Sequence, residues 1–105
     1  MRLNVGLLGG GSWGTTVAAL ISRNAPVMLW ARDAQTVHEI NTDRQNSRYL
    51  AGYTLPATMR ATADMGEAVR GADVLVMGVP SQNFRSVLMD VRQHIRPWVP
   101  VISLT

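Results

Sequence analysis

The sequence predicts an α/β fold built on a doubly wound parallel sheet, and two observations carry that prediction. Apolar runs alternate along the chain with stretches in which apolar residues recur at helical spacing. The apolar runs are also continuous, without the polar alternation of a half-exposed strand, as a parallel sheet covered by helices on both faces requires. With 105 residues, 47% of them hydrophobic and 16% charged, the chain corresponds to about one small globular domain.

The first strand and helix are predicted from an apolar run that ends in glycines. Residues 3–8 have the composition of a buried strand, and residues 12–23 follow as a helix with Ser12 as its N-cap. Asn24 and Pro26 end this helix. The residues predicted to face the core are Val17, Leu20 and Ile21.

The second strand and helix follow in the same order. VMLWA, residues 27–31, predicts an apolar strand, and Asp33 can cap a helix that extends to about Asn41. The predicted inward-facing residues of this helix are Val37 and Ile40. Residues 42–60 are polar, with tyrosine, glycine and proline among them, and predict a long surface loop.

The rest of the chain continues the alternation without an internal repeat. Residues 63–70 predict a short helix that Asp64 caps and Gly71 stops. The elements predicted after it are a strand over 74–79 that Pro80 ends, a helix over 83–95, and a strand over 99–104. The predicted inward-facing residues of the last helix are Phe84, Val87, Leu88, Val91 and Ile95.

Glycines mark the junction between the first strand and the first helix. Gly9, Gly11 and Gly14 form G-x-G-x-x-G directly after a predicted strand and directly before a predicted helix. In that setting Gly9 makes the tight turn, Gly11 admits a pyrophosphate close to the backbone, and Gly14 lets the helix pack on the strand. The helix N-terminus then favours the phosphate charge. The pattern predicts a Rossmann-type dinucleotide-binding domain, with a glycine-rich turn that binds nothing as the alternative.

The end of the second strand favours NADP over NAD. NAD sites of this kind usually carry an acid at this point for the ribose hydroxyls, whereas NADP sites carry an arginine for the 2′-phosphate. Here Ala31 stands where the acid is expected and Arg32 follows, and a guanidinium matches a phosphate with paired hydrogen bonds. Asp33 could contact a ribose or cap the next helix, and capping is the favoured role.

Several stretches, in order and spacing, resemble one enzyme family. GGGSWGTTVA, a strand ending in WAR, INTDRQNSRYLAGYTLP, GADVLVMGVPSQ and VISLT are similar to the N-terminal part of bacterial NAD(P)-dependent glycerol-3-phosphate dehydrogenases. The resemblance implies reduction of dihydroxyacetone phosphate to sn-glycerol 3-phosphate by NADPH or NADH, at the entry to glycerophospholipid synthesis in the cytoplasm. It also implies a Rossmann domain followed by a helical substrate domain, and a homodimer.

The resemblance also implies roles for individual residues. Ser12 would donate to a phosphate oxygen, and Trp13 would lie along the cofactor unless it packs in the core. Tyr49 would contact the cofactor unless it only pins a loop. Pro80 and Ser81 follow a strand at the sheet edge where ligands gather in such folds. The implied cofactor-binding residues are therefore Gly9, Gly11, Ser12, Trp13, Gly14, Arg32, Asp33, Tyr49, Pro80 and Ser81.

Some features depart from the family pattern. Ala51 and Gly52 follow Leu50 where the family usually has proline, and Gly78 replaces an alanine. The family's lysine would come directly after Thr105. Residues 1–105 are therefore expected to be the N-terminal part of a dinucleotide-binding domain, with no catalytic residue and no turnover of their own. The helical substrate domain would lie outside them.

Composition argues against several other functions. Without cysteine, the chain has no disulfide, thiolate catalyst or cysteine-bound zinc, and His38 and His94 are too isolated to predict a metal site. The net charge of +3 comes from scattered arginines, which argues against nucleic-acid binding. No apolar run reaches the roughly 20 residues of a membrane helix, and no signal peptide is predicted. Two alternatives remain open: another Rossmann dehydrogenase, of 6-phosphogluconate or hydroxyacyl-CoA type, or a non-catalytic NAD(P)-sensing module.

Overall fold

The computed structural model describes residues 3–104, in which strands and helices alternate from beginning to end. The elements are β1 (Val5–Leu8), α1 (Ser12–Ile21), β2 (Val27–Trp30), α2 (Ala34–Asp43), β3 (Met59–Thr62), α3 (Met65–Arg70), β4 (Val74–Met77), α4 (Ser81–Val91) and β5 (Val101–Ser103). The alternation predicted from the apolar runs is confirmed, except that β3 was not predicted.

The strands form one parallel sheet in the order β3-β2-β1-β4-β5. The chain builds outward from β1 to one edge, then returns past β1 to build the other half. Val5 pairs with Val27 on one side and with Val74 on the other. The order therefore reverses between β1 and β4, and in such sheets ligands bind in the crevice beyond the carboxyl ends of the strands at that reversal.

Two hydrophobic clusters cover the two faces of the sheet. Leu7 of β1 lies in the cluster that also contains Leu29 and Ile40, whereas the next residue, Leu8, lies in the cluster that contains Met77 and Val87. Successive side chains of a strand point to opposite faces, so β1 contributes to both clusters. This two-sided burial is the physical reason for the continuous apolar runs in the sequence.

The structure corrects the predicted loop over 42–60, because its last residues begin β3. Met59 is buried, Arg60 is exposed and the following two residues are buried. The polar residues Arg60 and Thr62 interrupt this edge strand, so it does not appear in the sequence as an apolar run. A strand with one neighbour needs less apolar surface than a central one. The predicted loop is therefore shorter, and it starts later because α2 extends to Asp43.

Several helix boundaries and faces also differ from the predictions. Gly11, not Ser12, is the N-cap of α1, and Leu20 is 52% exposed rather than packed inward. Helix α4 occupies Ser81–Val91 instead of 83–95, and its Leu88 is exposed. The apolar residues of these amphipathic helices spread wider than the face that contacts the sheet. Two predicted caps are confirmed: Asp64 and Gly71 flank α3.

Candidate functional site

A cleft of about 660 Å³ lies beyond the carboxyl ends of β1, β2 and β4. One wall is the turn over residues 9–14, a second is formed by residues 30–33 after β2, and a third by residues 78–80 after β4. Arg48 and Tyr49, from the loop after α2, close the outer side. The cleft therefore occupies the crevice at the reversal of strand order.

The turn between β1 and α1 requires glycine for two different reasons. Gly9 has a φ of +126°, and a Cβ there would lie 2.6 Å from the carbonyl oxygen of Gly78. A Cβ on Gly14 would collide with the carbonyl oxygen of Gly9, so this glycine allows α1 to start directly against the turn. These positions fit the predicted tight turn and close packing.

Gly11 is different, because its missing side chain leaves open space. Its backbone is extended, with φ −72° and ψ −179°, and a Cβ would meet nothing within 4 Å. The protein itself therefore gives no steric reason for glycine here. Since Gly11 lines the cleft, the open position matches the close approach of a ligand to the backbone.

Two of the helices that begin at the cleft have no side-chain cap. Asp33 caps α2 by accepting from the amide of Gln35 at 3.0 Å, and Asp64 caps α3 by accepting from Gly66 at 3.0 Å. Helices α1 and α4 begin at the cleft, after Gly11 and Pro80, and neither receives a side-chain cap. First-turn amides lack intrahelical acceptors, so the start of α1 suits an anion such as a pyrophosphate.

One cationic side chain, that of Arg32, lies at the cleft directly after β2. The guanidinium of Arg32 lies 5.7 Å from the ring centroid of Trp30, a cation–π distance. Trp30 is buried, and its indole donates to the carbonyl of Ala63 at 3.1 Å, so the ring is a fixed platform. Arg32 itself is exposed at the cleft and free of ion pairs among the described residues.

The carboxylate of Asp33 is occupied by contacts within the protein. Besides capping α2 it accepts from the Thr36 hydroxyl at 3.2 Å and lies 3.7 Å from the Arg48 guanidinium. The capping role predicted for Asp33 is confirmed. Arg48, whose guanidinium also lies 5.3 Å from the ring centroid of Tyr49, was not predicted as a site residue, although it stands beside Tyr49 in the sequence.

The structure brings the predicted site residues together, with one exception. Gly9, Gly11, Ser12, Trp13, Gly14, Arg32, Asp33, Tyr49 and Pro80 all line the cleft. Trp13 is 61% exposed, so the alternative of core packing is wrong. Ser81 is exposed at the start of α4 and does not line the cleft, whereas Asn83, two residues further on, does. Asn83 was missed because no motif marks it.

Within residues 3–104 no three histidine, cysteine, aspartate or glutamate side chains converge in a way that could hold a metal ion. Over that range, no helix has the length and hydropathy needed to cross a bilayer.

The fold and the glycine-lined cleft at the strand-order reversal define a dinucleotide-binding α/β domain. Residues 4–105 match the family model of the NAD-dependent glycerol-3-phosphate dehydrogenase N-terminus. The chain belongs to this family, as the resemblance of its motifs implied. Because the family is NAD-dependent, the predicted cofactor class, NAD or NADP, is confirmed, as is the Rossmann-type fold.

Individual relatives agree with the family model. The chain is 71% identical over 105 residues to glycerol-3-phosphate dehydrogenase [NAD(P)+] 2 of Sphingopyxis alaskensis, covering all of this chain and 32% of that protein. It is 54% identical over 99 residues to glycerol-3-phosphate dehydrogenase [NAD(P)+] 1 of Mycobacterium tuberculosis, covering 93% of this chain and 29% of that protein. The chain thus spans about a third of the length of these relatives.

Solved structures lead to the same family. Glycerol-3-phosphate dehydrogenase of Coxiella burnetii superposes with a TM-score of 0.90 at 29% identity, over 97% of this chain and 32% of that one. The Saccharomyces cerevisiae enzyme gives 0.91 at 28% identity, over 98% and 33%. Arogenate dehydrogenase of Synechocystis, at 0.77 and 17% identity over 98% and 33%, shares the fold alone.

Proposed function

We propose that this chain supplies cofactor binding to a dehydrogenase that reduces dihydroxyacetone phosphate to sn-glycerol 3-phosphate with NADPH or NADH. The observation that carries the proposal is the open position at Gly11, beside the uncapped start of α1. Family membership supports the reaction. In this proposal residues 1–105 are the N-terminal part of the dinucleotide-binding domain, and a helical substrate domain belongs to residues outside them.

The cofactor would be held mainly at its phosphates. The pyrophosphate would lie on the first-turn amides of α1 and on the Ser12 hydroxyl, because Gly11 leaves that approach open. Trp13 would pack along the cofactor, since its ring is exposed at the cleft. Gly9 and Gly14 make the turn that presents these groups.

The adenine end of the cleft favours a 2′-phosphate. The carboxylate of Asp33, the acid after β2, already accepts from the Gln35 amide and the Thr36 hydroxyl and lies beside Arg48, which disfavours its use in accepting from the ribose hydroxyls. Arg32 is held on the Trp30 ring at the cleft and can pair with phosphate oxygens. Tyr49 would bound the same end of the cofactor, and Pro80 and Ser81 the side of β4. NADP is therefore the proposed preference.

The chain's own residues bind and orient rather than react. A bound nicotinamide would supply the hydride, and the proton for the ketone oxygen would come from a group outside these residues. The chain has no lysine to serve as that group. Orientation without the acid and the substrate site leaves most of the barrier in place, so the 105 residues alone are proposed to bind cofactor without turnover.

The resemblance also supports proposals about the whole protein. Its substrates would be small phosphorylated molecules, dihydroxyacetone phosphate and glycerol 3-phosphate, and its product would enter glycerophospholipid synthesis. The complete enzyme would be a cytoplasmic homodimer. It would not bind nucleic acid, because the arginines are scattered over the sequence rather than clustered.

The direct test is calorimetric titration of the full chain with NADPH and then with NADH. The matched pair of variants is Arg32→Ala and Arg23→Ala, because Arg23 is an exposed arginine just after the far end of α1. We expect tighter binding of NADPH, a loss of that preference in Arg32→Ala, and unchanged binding in Arg23→Ala. Folded protein that binds neither cofactor would reject the proposed function.

The reaction needs a second measurement on the complete enzyme. We expect oxidation of NADPH that depends on dihydroxyacetone phosphate. Turnover of 6-phosphogluconate or of a hydroxyacyl-CoA instead would favour another dehydrogenase of this fold. Tight cofactor binding without turnover of any of these substrates would favour a sensing module.

A further inference from the structure

We propose that Asn46 and Thr15 are positioning residues that direct the backbone amide of Gly11 toward the cofactor pyrophosphate, an inference that rests on the proposed function. Both side chains are fully buried beneath the glycine turn. Asn46 Nδ2 donates to the carbonyl oxygen of Gly10 at 3.1 Å and to Thr15 Oγ1 at 2.9 Å. Thr15 Oγ1 donates to the same carbonyl at 3.2 Å.

All three side-chain donor protons of this pair are used, two of them on the Gly10 carbonyl and one between the two side chains. The Gly10 oxygen only accepts, so Asn46 must present its amino group, and that group has two protons for two acceptors. The single proton of Thr15 goes to the same oxygen. Asn46 Oδ1 is buried with no partner among residues 3–104, an unfavourable state that a less polar residue would avoid. What asparagine contributes at this position is therefore its two donors.

Peptide geometry carries this anchoring to the cleft. The described residues contain no cis peptide bond, and in a trans peptide the carbonyl of one residue and the amide of the next point in opposite directions. The Gly10 carbonyl is drawn toward buried Asn46 and Thr15. The N–H of Gly11 consequently points away from them, toward the cleft that Gly10 and Gly11 line.

Through its backbone, Asn46 also holds the loop that closes the outer side of the cleft. Its carbonyl oxygen accepts from the amide of Leu50 at 2.7 Å and from that of Tyr49 at 3.3 Å. These bonds close the turn that presents Arg48 and Tyr49 to the cleft. One residue therefore fixes both the phosphate-facing amide and the loop at the proposed adenine end.

The test compares near-isosteric changes at Thr15. Thr15→Val removes the hydroxyl at almost constant volume, and Thr15→Ser retains it. Calorimetry on the full chain gives the affinity for NADH, which carries the pyrophosphate, and ligand-detected NMR gives that for adenosine, which lacks it. We expect Thr15→Val to weaken NADH binding about tenfold, because a donor to the ligand is no longer held in place. Thr15→Ser should bind NADH like the parent chain, and adenosine binding should be the same in all.

Asn46→Ala is the second variant, with Asn41→Ala as its matched control. Like Asn46, Asn41 makes two side-chain hydrogen bonds, in its case both to the backbone of Ala61, at 2.9 and 2.8 Å, but it does not line the cleft. Only the change at Asn46 should weaken NADH binding. Where Asn46→Ala fails to fold, the Thr15 pair decides.

Two results would overturn the inference. One is parental NADH affinity in Thr15→Val. The other is a parallel fall in NADH and adenosine affinity, which would indicate general loosening of the fold. Failure of the parent chain to bind NADH is a separate outcome, since it rejects the proposed function itself.

Discussion

Asp33 Oδ2 lies 3.7 Å from Arg48 Nη1, while Oδ1 of the same carboxylate caps α2. The pair joins the end of β2 to the loop after α2 across the mouth of the cleft. The same carboxylate thus stabilises α2 and contributes negative charge to the site. Substitutions can separate these two effects.

Asp33→Ala and Asp33→Asn should differ in stability. Alanine removes the cap and should lower the free energy of unfolding by about 1 kcal/mol, whereas asparagine caps almost as well as aspartate. Both changes release Arg48 and remove a negative charge from the cleft, so both should increase the preference for NADPH over NADH. Urea unfolding and calorimetric titration measure the two effects. Equal stability of the two variants would contradict the capping role.

Arg48→Gln should weaken NADPH more than NADH. The side chain is exposed and its pairing with Asp33 contributes little stability, so its charge is available to a phosphate. We expect a several-fold loss for NADPH and a smaller one for NADH, with the difference shrinking at high salt. Arg85→Gln, at an exposed position of α4 that does not line the cleft, is the matched control. The same loss for both cofactors would show that Arg48 does not contact the 2′-phosphate.

Gly11→Ala and Gly14→Ala should separate binding from folding. Alanine fits the extended backbone of Gly11 without a clash, so thermal unfolding should be nearly unchanged, yet the methyl group would obstruct the pyrophosphate. At Gly14 the new methyl group meets the Gly9 carbonyl, and the cost should be about 1–3 kcal/mol. Melting temperatures and NADH affinities check both. Undiminished NADH binding by Gly11→Ala would rule out the close approach.

The amino-terminal side of the sheet should lose stability in acid partly through Asp73. The amide of Asn4 donates to Asp73 Oδ2 at 2.8 Å, and this bond, with Arg96 nearby, holds the pKa of Asp73 below its usual value. A lowered folded-state pKa gives stability that is present above the unfolded-state pKa and lost as pH falls through the folded-state value. Urea midpoints between about pH 7 and about pH 3 should fall less steeply in Asp73→Asn.

Glu39 contributes to the same acid dependence. Its pKa is lowered by hydrogen bonds from Ser47, whose amide donates at 2.9 Å, so some slope should persist in Asp73→Asn. A slope identical to that of the parent chain would contradict the role of Asp73.

The parts of the site that were predicted from the sequence depend on interactions between residues close together in the chain. The turn over 9–14 needs glycine for conformation and clearance, and Asp33 lies directly before the helix it caps, so neighbouring residues carry the signal. The parts it missed depend on distant contacts. Asn46 reaches Gly10 across 36 residues, and Arg48 meets Asp33 from another loop. Strand β3 was missed because Arg60 and Thr62 interrupt it, so its four residues leave no apolar run.

The central place of β1 has a consequence for how the chain folds during synthesis. Translation produces β1 first, but one of its two partners, β4, pairs Val5 with Val74 and is made much later. Contacts between such distant residues form slowly, because a long loop must close first. The Gly9 turn packs against Gly78, so this contact is missing in the nascent chain until Gly78 has been made. We expect the nascent protein to acquire affinity for NADH only after β4 has left the ribosome.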